Sequence, residues 1–367
     1  MRLRLGVVGA GDVAQRDYLP ELPRLANRVE LTAIAARREE RARAAALRFG
    51  ARRWTTSYNE LVASDDVDAV VNLTPFALHV DVTLAALEAE KHVYSEKPLA
   101  SSVRDADRIA ASALAHGLTV VAAPSVLLFP QVQRALELVR SGGLGSIHSA
   151  RGHGLGGTPP WAGYASDPTP YFREPGGTLT DVGVYPLHAL TGLLGPVRHV
   201  AALSARTRSS FTVSEGPFAG LKVPVEVDDE WQLVVQLEGG CLASIEASNA
   251  ADYALAPELE LRGERAALGL SLLDVAQPIR LASADGVREE QVPHERASGP
   301  DHLLGIEHLV DCIERGTAPV PSVEHACHVI EVLEAARRSA RTGRAETVTS
   351  SFPSRPIVAT EVGVGGS

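Results

Sequence analysis

One glycine-rich run and a few widely separated side chains carry the chemical possibilities of this sequence. Gly9-Ala10-Gly11-Asp12-Val13-Ala14 has the Gly-x-Gly-x-x-Ala spacing, directly after the apolar run Leu3 to Val8. Gly9 permits a tight turn, Gly11 lets backbone approach a pyrophosphate, and Ala14 is small enough for close helix–strand packing. The helix that follows offers unpaired N–H groups, those of Asp12 and Val13 among them, to an anion. Far downstream, Asp181, Tyr185 and His188 stand at i, i+4 and i+7, a spacing that shares one helical face. Thr178 or Thr180 is positioned to cap such a helix, and Pro186 removes one of its hydrogen bonds and kinks that turn. Hydride transfer to a carbonyl needs a proton donor at the developing alkoxide, and the reverse needs a base. Tyr185 fills either role if an ammonium such as Lys97 favours its phenolate and lowers its pKa.

Each of these side chains also has an ordinary structural reading. Lys97 precedes a turn proline and suits a surface. Asp181 suits a first helical turn. Tyr185 suits a core whose hydroxyl finds a partner. His188 alone is more often structural than catalytic. The second apolar run, Val29 to Ala35, ends in Ala36-Arg37-Arg38 with no carboxylate where one would hold ribose hydroxyls. Arg37 and Arg38 are suited instead to a 2′-phosphate, which favours NADP over NAD; the ordinary alternative is two solvated arginines.

The elements that must position these groups read as two domains and a tail: residues 1–125, 126–350 and 351–367. In the first, apolar runs at Leu3 to Val8, Val29 to Ala35, Val67 to Leu73, His92 to Ser95 and Leu118 to Ala122 alternate with helical stretches such as Glu39 to Phe49 and Val80 to Glu90. Continuous apolar strands separated by helices predict a doubly wound parallel sheet, an α/β fold. In the second, Gln131 to Arg140 reads as a helix, and longer alternating strands follow at Glu230 to Leu237, Leu242 to Ala247 and Leu259 to Gly263. Gly239-Gly240 marks a hairpin, so this half reads as α+β with an open, mostly antiparallel sheet. Thr158 to Gly177, rich in Pro and Gly, reads as a loop over a site; its aromatics Trp161, Tyr164, Tyr171 and Phe172, with nearby His153, suit either a sugar ring or a subunit contact. Two helices, His302 to Arg315 and Val323 to Arg341, come late, and Ile357 to Ser367 reads as a fraying tail.

The chain has 367 residues, 45% of them hydrophobic, and a formal charge of −10, which argues against nucleic acid or an anionic membrane as partner. Cys241, Cys312 and Cys327 are scattered, and His325 and His328 lack a metalloprotease pattern, so no metal site is expected. No apolar run has membrane-spanning length and no signal peptide precedes the first strand, which points to the cytoplasm.

Glu96-Lys97-Pro98 directly after the fourth run, Asn72-Leu73-Thr74-Pro75 followed by His79, and Gly176-Gly177-Thr178-Leu179-Thr180-Asp181-Val182-Gly183-Val184-Tyr185 together resemble the glucose–fructose oxidoreductase / inositol dehydrogenase family (Gfo/Idh/MocA), over about residues 3 to 345. The resemblance implies a Rossmann domain, a C-terminal domain whose open sheet often mediates dimer or tetramer formation, and hydride transfer between NADP or NAD and a sugar-like or polyol-like carbon. It implies that Thr74, Pro75, His79, Glu96 and Lys97 line the cofactor, and that Lys97, Asp181, Tyr185 and His188 meet the substrate. Tyr185 is similar to the glucose–fructose oxidoreductase, xylose dehydrogenase and dihydrodiol dehydrogenase branch. His188 and Phe76 depart from the usual residues at their positions. A dinucleotide-sensing regulator of the same fold is the competing expectation, because fold does not fix function; the presence of both Lys97 and Tyr185 favours an enzyme.

Overall fold

The computed structural model describes residues 2–161 and 163–353; the tail at Ile357 to Ser367 lies outside the described residues. Strands β1 (Leu3–Val8), β2 (Val29–Ala35), β3 (Arg53–Thr55), β4 (Ala69–Asn72), β5 (His92–Ser95) and β6 (Val120–Ala122) form one parallel sheet in the order β3-β2-β1-β4-β5-β6. The inner strands are apolar at nearly every position because helices cover both faces, as the doubly wound reading requires. The connection reverses direction between β1 and β4, and the crevice beyond their carboxyl ends is where such sheets bind ligands. The short edge strand β3 gave no sequence signal: it has three residues, and its Trp54 is 37% exposed.

The second sheet has nine strands. They are β7 (Ile147–Leu155), β8 (Val197–Ala205), β11 (Glu230–Leu237), β12 (Leu242–Ser248), β13 (Leu259–Gly263), β14 (Ala266–Leu270), β15 (Ile279–Ser283), β16 (Gly286–Glu290) and β17 (Glu346–Thr347), while β9 (Ser210–Thr212) and β10 (Lys222–Pro224) pair separately. The order is β16-β15-β14-β13-β7-β12-β11-β8-β17, antiparallel except where β7 meets β12. Burial alternates strictly along β11, so one face of the sheet is core and the other is open.

The helices are α1 (Glu39–Phe49), α2 (Tyr58–Val62), α3 (His79–Glu88), α4 (Val103–His116), α5 (Pro130–Arg140), α6 (Thr178–Asp181), α7 (Val184–Leu194), α8 (Leu303–Arg315) and α9 (Val323–Thr342). Helix α7 lies on the inner face of the second sheet, with Leu187, Leu190 and Leu194 in one core with Val200, Leu233 and Ile245. Although α8 falls late in the chain, its Leu303, Ile306 and Leu309 pack with Leu5 and Val7 of the first sheet. Helix α9 joins the two halves: Val323, Cys327 and Ile330 enter the core beneath α4, while Val329, Val332 and Leu333 enter the second. The three cysteines are free and buried. Among the described residues no helix is long and apolar enough to cross a membrane.

Candidate functional site

The glycine-rich turn leaves β1 at the crevice. Gly9 has φ +106°, and a Cβ there would run into the carbonyl of Leu73 at the end of β4. Only glycine permits that crossing. A Cβ on Gly11 would meet nothing within 4 Å, so the backbone there borders open space of the kind a pyrophosphate requires. Helical turns start at Asp12, and the stretch Ala14–Tyr18 is widened to a π-turn. The Asp12 carboxylate reaches the second half of the molecule, accepting from the backbone N–H of Ala165 at 2.9 Å. Arg37 and Arg38 follow β2, are exposed, and make no ion pair among the described residues.

Across the crevice, Glu96 and Lys97 follow β5. Glu96 is held by the Tyr18 hydroxyl at 2.6 Å and by the Lys97 backbone N–H at 2.8 Å. Lys97 donates from Nζ to the carboxylate and to the carbonyl of Asp181, each at 2.6 Å. Both side chains of this ion pair are about nine-tenths buried, at 12% and 11% exposure. The ammonium also lies 5.1 Å from the centre of the Tyr185 ring. Burial pulls the Lys97 pKa down, yet Asp181, Tyr185 and Glu96 together hold it well above its ordinary value. Lys97 is therefore a fixed positive charge rather than a base.

Tyr185 departs from the expectation that Lys97 makes its phenol acidic. The ammonium does lower the pKa, but burial raises it more, and Glu96 and Asp181 add to the rise. Asp181 already neutralises much of the lysine's charge, so the phenol stays protonated at neutral pH.

A second correction concerns the helix. Asp181 ends α6 and Tyr185 is the second residue of α7, with a break at Val182-Gly183. Pro186 has no N–H for the carbonyl of Val182, four residues back, and that carbonyl takes the Tyr185 N–H at 3.4 Å instead. Gly154 of β7 lets the strand approach this break, since a Cβ there would strike the Val182 carbonyl. Neither threonine caps the start: the Thr178 hydroxyl is buried without a partner, and that of Thr180 accepts from Arg337 of α9.

The third correction is His188, expected at the substrate. Its ring is 4% exposed and lies against His325 of α9, with ring centres 5.1 Å apart, so α7 turns Tyr185 to the crevice and His188 to the core. His79, expected at the cofactor, is 1% exposed, with Nδ1 2.7 Å from the carbonyl of Pro98 and Nε2 2.7 Å from that of Thr74. Both ring nitrogens face backbone carbonyls, to one of which the neutral ring donates, and His79 sits between the Thr74-Pro75 turn and the Lys97-Pro98 turn. Thr74 donates its hydroxyl to Asn72 at 2.7 Å, which fixes the same turn.

Several residues at the site were not among those the sequence assigned to the cofactor or the substrate. Tyr18, beyond the glycine-rich turn, orients Glu96. Arg16 pairs with Asp17 at 2.8 Å and lies 4.3 Å from the Tyr164 ring centre, so the Pro/Gly-rich loop is seated beside the glycine-rich turn. Phe76 sits 6.0 Å from Lys97 Nζ and meets Tyr171 edge-on at 5.6 Å. Among the described residues no group of three or more His, Cys, Asp or Glu is arranged to hold a metal ion. A cavity of about 680 Å³ lies elsewhere, on the open face of the second sheet, lined in part by Arg151, Gln232, Glu246, Leu255 and Arg280.

This geometry has relatives. Residues 3–123 match a family described as an oxidoreductase family with an NAD-binding Rossmann fold, and residues 132–269 match the GFO/IDH/MocA C-terminal domain. An uncharacterized oxidoreductase of Rhizobium meliloti is 30% identical over 94% of this chain and 99% of its own. A D-xylose 1-dehydrogenase (NADP(+)) of Haloferax volcanii is 27% identical, again over 94% and 99%. A levoglucosan dehydrogenase solved with NADH and L-sorbose shares the fold at TM-score 0.83 and 22% identity, covering 95% of this chain and 99% of its own. Two matched domains and a full-length relative lead to one conclusion: the chain belongs to the Gfo/Idh/MocA family of oxidoreductases, with an NAD-binding Rossmann domain.

Proposed function

We propose that the protein is a dehydrogenase or reductase acting on a CH–OH or C=O carbon of a sugar or polyol, with NADP preferred over NAD. The observation that carries this reading is the convergence of Lys97 from one half of the molecule with Asp181 and Tyr185 from the other, beside an open glycine-rich turn. A bound nicotinamide dinucleotide supplies or accepts the hydride. Gly11, Asp12 and Val13 would hold its pyrophosphate, and Arg37 and Arg38 a 2′-phosphate.

In the reductive direction the protonated Tyr185 phenol donates to the substrate oxygen as it gains negative charge. Lys97 stabilises that charge and keeps its place because Asp181 holds it from the other side. In the oxidative direction the same phenol must first lose its proton, and the adjacent ammonium is what makes the resulting phenolate tolerable. Glu96, fixed by Tyr18, supports the turn that presents Lys97. We further propose self-association as a dimer or tetramer through the open sheet face, where Leu203, Val234 and Leu242 lie exposed on neighbouring strands.

The test is spectrophotometric. Purified protein should consume NADPH with a panel of keto-sugars, or reduce NADP with the matching sugars and polyols. Binding of the dinucleotide without turnover of any of them would leave a sensor and end the enzymatic reading.

A further inference from the structure

Two carboxylates stand near Lys97, and only one of them holds it. An ammonium has three N–H donors. Lys97 gives one to the Asp181 carboxylate and one to the Asp181 carbonyl, and the third has no partner among the described residues. Glu96 is the preceding residue, and its charge is close enough to raise the Lys97 pKa. Yet among the described residues Nζ pairs with Asp181 and not with Glu96.

What restrains Glu96 is a line of buried hydroxyls. The Tyr18 phenol donates to Glu96 Oε1 at 2.6 Å, the Tyr94 hydroxyl lies 2.9 Å from that of Tyr18, and Ser125 Oγ lies 3.1 Å from that of Tyr94. Each hydroxyl has one proton, and that of Tyr18 goes to Glu96. The donors therefore run one way, from Ser125 to Tyr94, from Tyr94 to Tyr18 and from Tyr18 to the carboxylate. All three side chains are buried. Burial and the charge of Glu96 push both phenols above their ordinary pKa, so they stay donors at neutral pH. The line is also packed tightly. A Cβ on Gly305 of α8 would come within 2.3 Å of Ser125 Oγ and 2.4 Å of the Tyr94 ring, and the His302 ring centre lies 5.5 Å from that of Tyr18.

We propose that Tyr18, backed by Tyr94 and Ser125, is a positioning residue that holds Glu96 off the Lys97 ammonium and so keeps the third N–H for the substrate oxygen. The proposal rests on the hydride-transfer reading and adds to it the device that keeps the cation available. Without the Tyr18 hydroxyl, Glu96 takes up the third N–H, and the ammonium lies between two carboxylates with no donor left for the substrate. A neutral amide at position 96 competes far less, because a bond between two charged groups is about twice as strong as one with a neutral partner. The cost of losing the Tyr18 hydroxyl therefore depends on the charge of residue 96.

The experiment compares the unmodified protein with Tyr18→Phe, Glu96→Gln and Tyr18→Phe/Glu96→Gln, using NADP with D-xylose, D-glucose and myo-inositol. Tyr18→Phe should lower kcat/KM by about 10- to 100-fold while NADP affinity stays within about threefold. In the Glu96→Gln background the same change should cost less than about threefold. A crystal structure of Tyr18→Phe should show Lys97 Nζ within hydrogen-bond distance of the Glu96 carboxylate. Tyr18→Phe/Tyr94→Phe, which leaves no orphaned phenol, takes the place of the single variant if that fails to fold. An equal cost in both backgrounds, or an Nζ still held by Asp181 alone in the variant, would overturn the proposal and leave hydride transfer intact. A shifted Nζ with no turnover of any of the three compounds by the unmodified protein would support the role of Tyr18 and count against hydride transfer. Neither turnover nor a shifted Nζ would refute both.

Discussion

Helix α7 presents two titratable rings three residues apart, and they have opposite fates. Tyr185 faces the crevice, where Lys97 and Asp181 form an ion pair although both side chains are about nine-tenths buried. His188 faces α9, where it joins His325 and His328. The His325 ring stacks on Phe352 at 4.0 Å and its Nε2 meets the Thr191 hydroxyl at 2.7 Å. His328 accepts from the Val197 N–H at 2.9 Å and meets the Ser350 hydroxyl at 2.9 Å, while Nδ1 of His188 has no partner. Among the described residues no carboxylate bonds any of these rings. Burial accordingly pushes His188 down to about 3 and His328 down to about 4, and holds His325 well below its ordinary value. Burial acts against charge in both regions. What separates them is whether an opposite charge sits within hydrogen-bond distance, and only the region that keeps its charge is equipped for proton chemistry.

Removing the opposite charge tests this contrast most severely. Lys97→Met should lower kcat by about 10²–10⁴-fold and, by leaving Asp181 buried and unpaired, destabilise the fold by about 3–5 kcal/mol. The double variant Lys97→Met/Asp181→Asn should recover most of that stability and none of the activity. Recovery of both in denaturant titrations and steady-state assays would mean that the pair is only structural. Next in size, Tyr185→Phe should cost about 100-fold or more in kcat with little change in unfolding midpoint. An unchanged turnover number would remove the phenol from the mechanism. A smaller effect is expected at the cofactor: Arg37→Ala should weaken NADP binding about tenfold and leave NAD binding nearly as it was, read by fluorescence titration. Equal affinity of the unmodified protein for the two dinucleotides would defeat the NADP preference.

The histidine side of the comparison gives the smallest effect. A histidine whose folded pKa is depressed is protonated first in the unfolded chain. Its neutral form therefore supports the fold fully above about pH 6.5, and that support is lost as the pH falls towards the folded value, about 4 for His328. The loss should be about 1 kcal/mol for His328 by pH 6, measured by denaturant unfolding across pH 8 to 5. His328→Gln, which keeps an acceptor for the Val197 N–H, should flatten the curve by that amount. A curve equally steep in the variant would show that the cluster titrates elsewhere.

Much of this arrangement is legible in the chain itself. Apolar continuity in Leu3–Val8 and Val29–Ala35 reads directly as buried parallel strands, because only a sheet covered on both faces tolerates it. The spacing of Gly9 and Gly11 reads as a close-approach turn because no other residue fits the Leu73 carbonyl. Glu96-Lys97-Pro98 and Asp181 to Tyr185 are equally visible as motifs, since the motif lies within a few residues. The short edge strand Arg53–Thr55 is not, because three residues carry too little pattern.

Local sequence therefore determined the first sheet, the phosphate-type turn and the identity of the polar residues. Tertiary structure alone decided their roles. Lys97 and Asp181 are 84 residues apart, and their 2.6 Å contact exists only because two halves of the molecule close on one crevice. That contact sets the ammonium's partner, while burial between the two halves sets the direction of the Tyr185 pKa shift. Spacing put His188 on one face with Asp181 and Tyr185, and the family resemblance put His79 at the cofactor. A break at Val182-Gly183 and two carbonyl partners placed them otherwise. Charge and proton affinity depend on distance in space, and chain separation carries no such information.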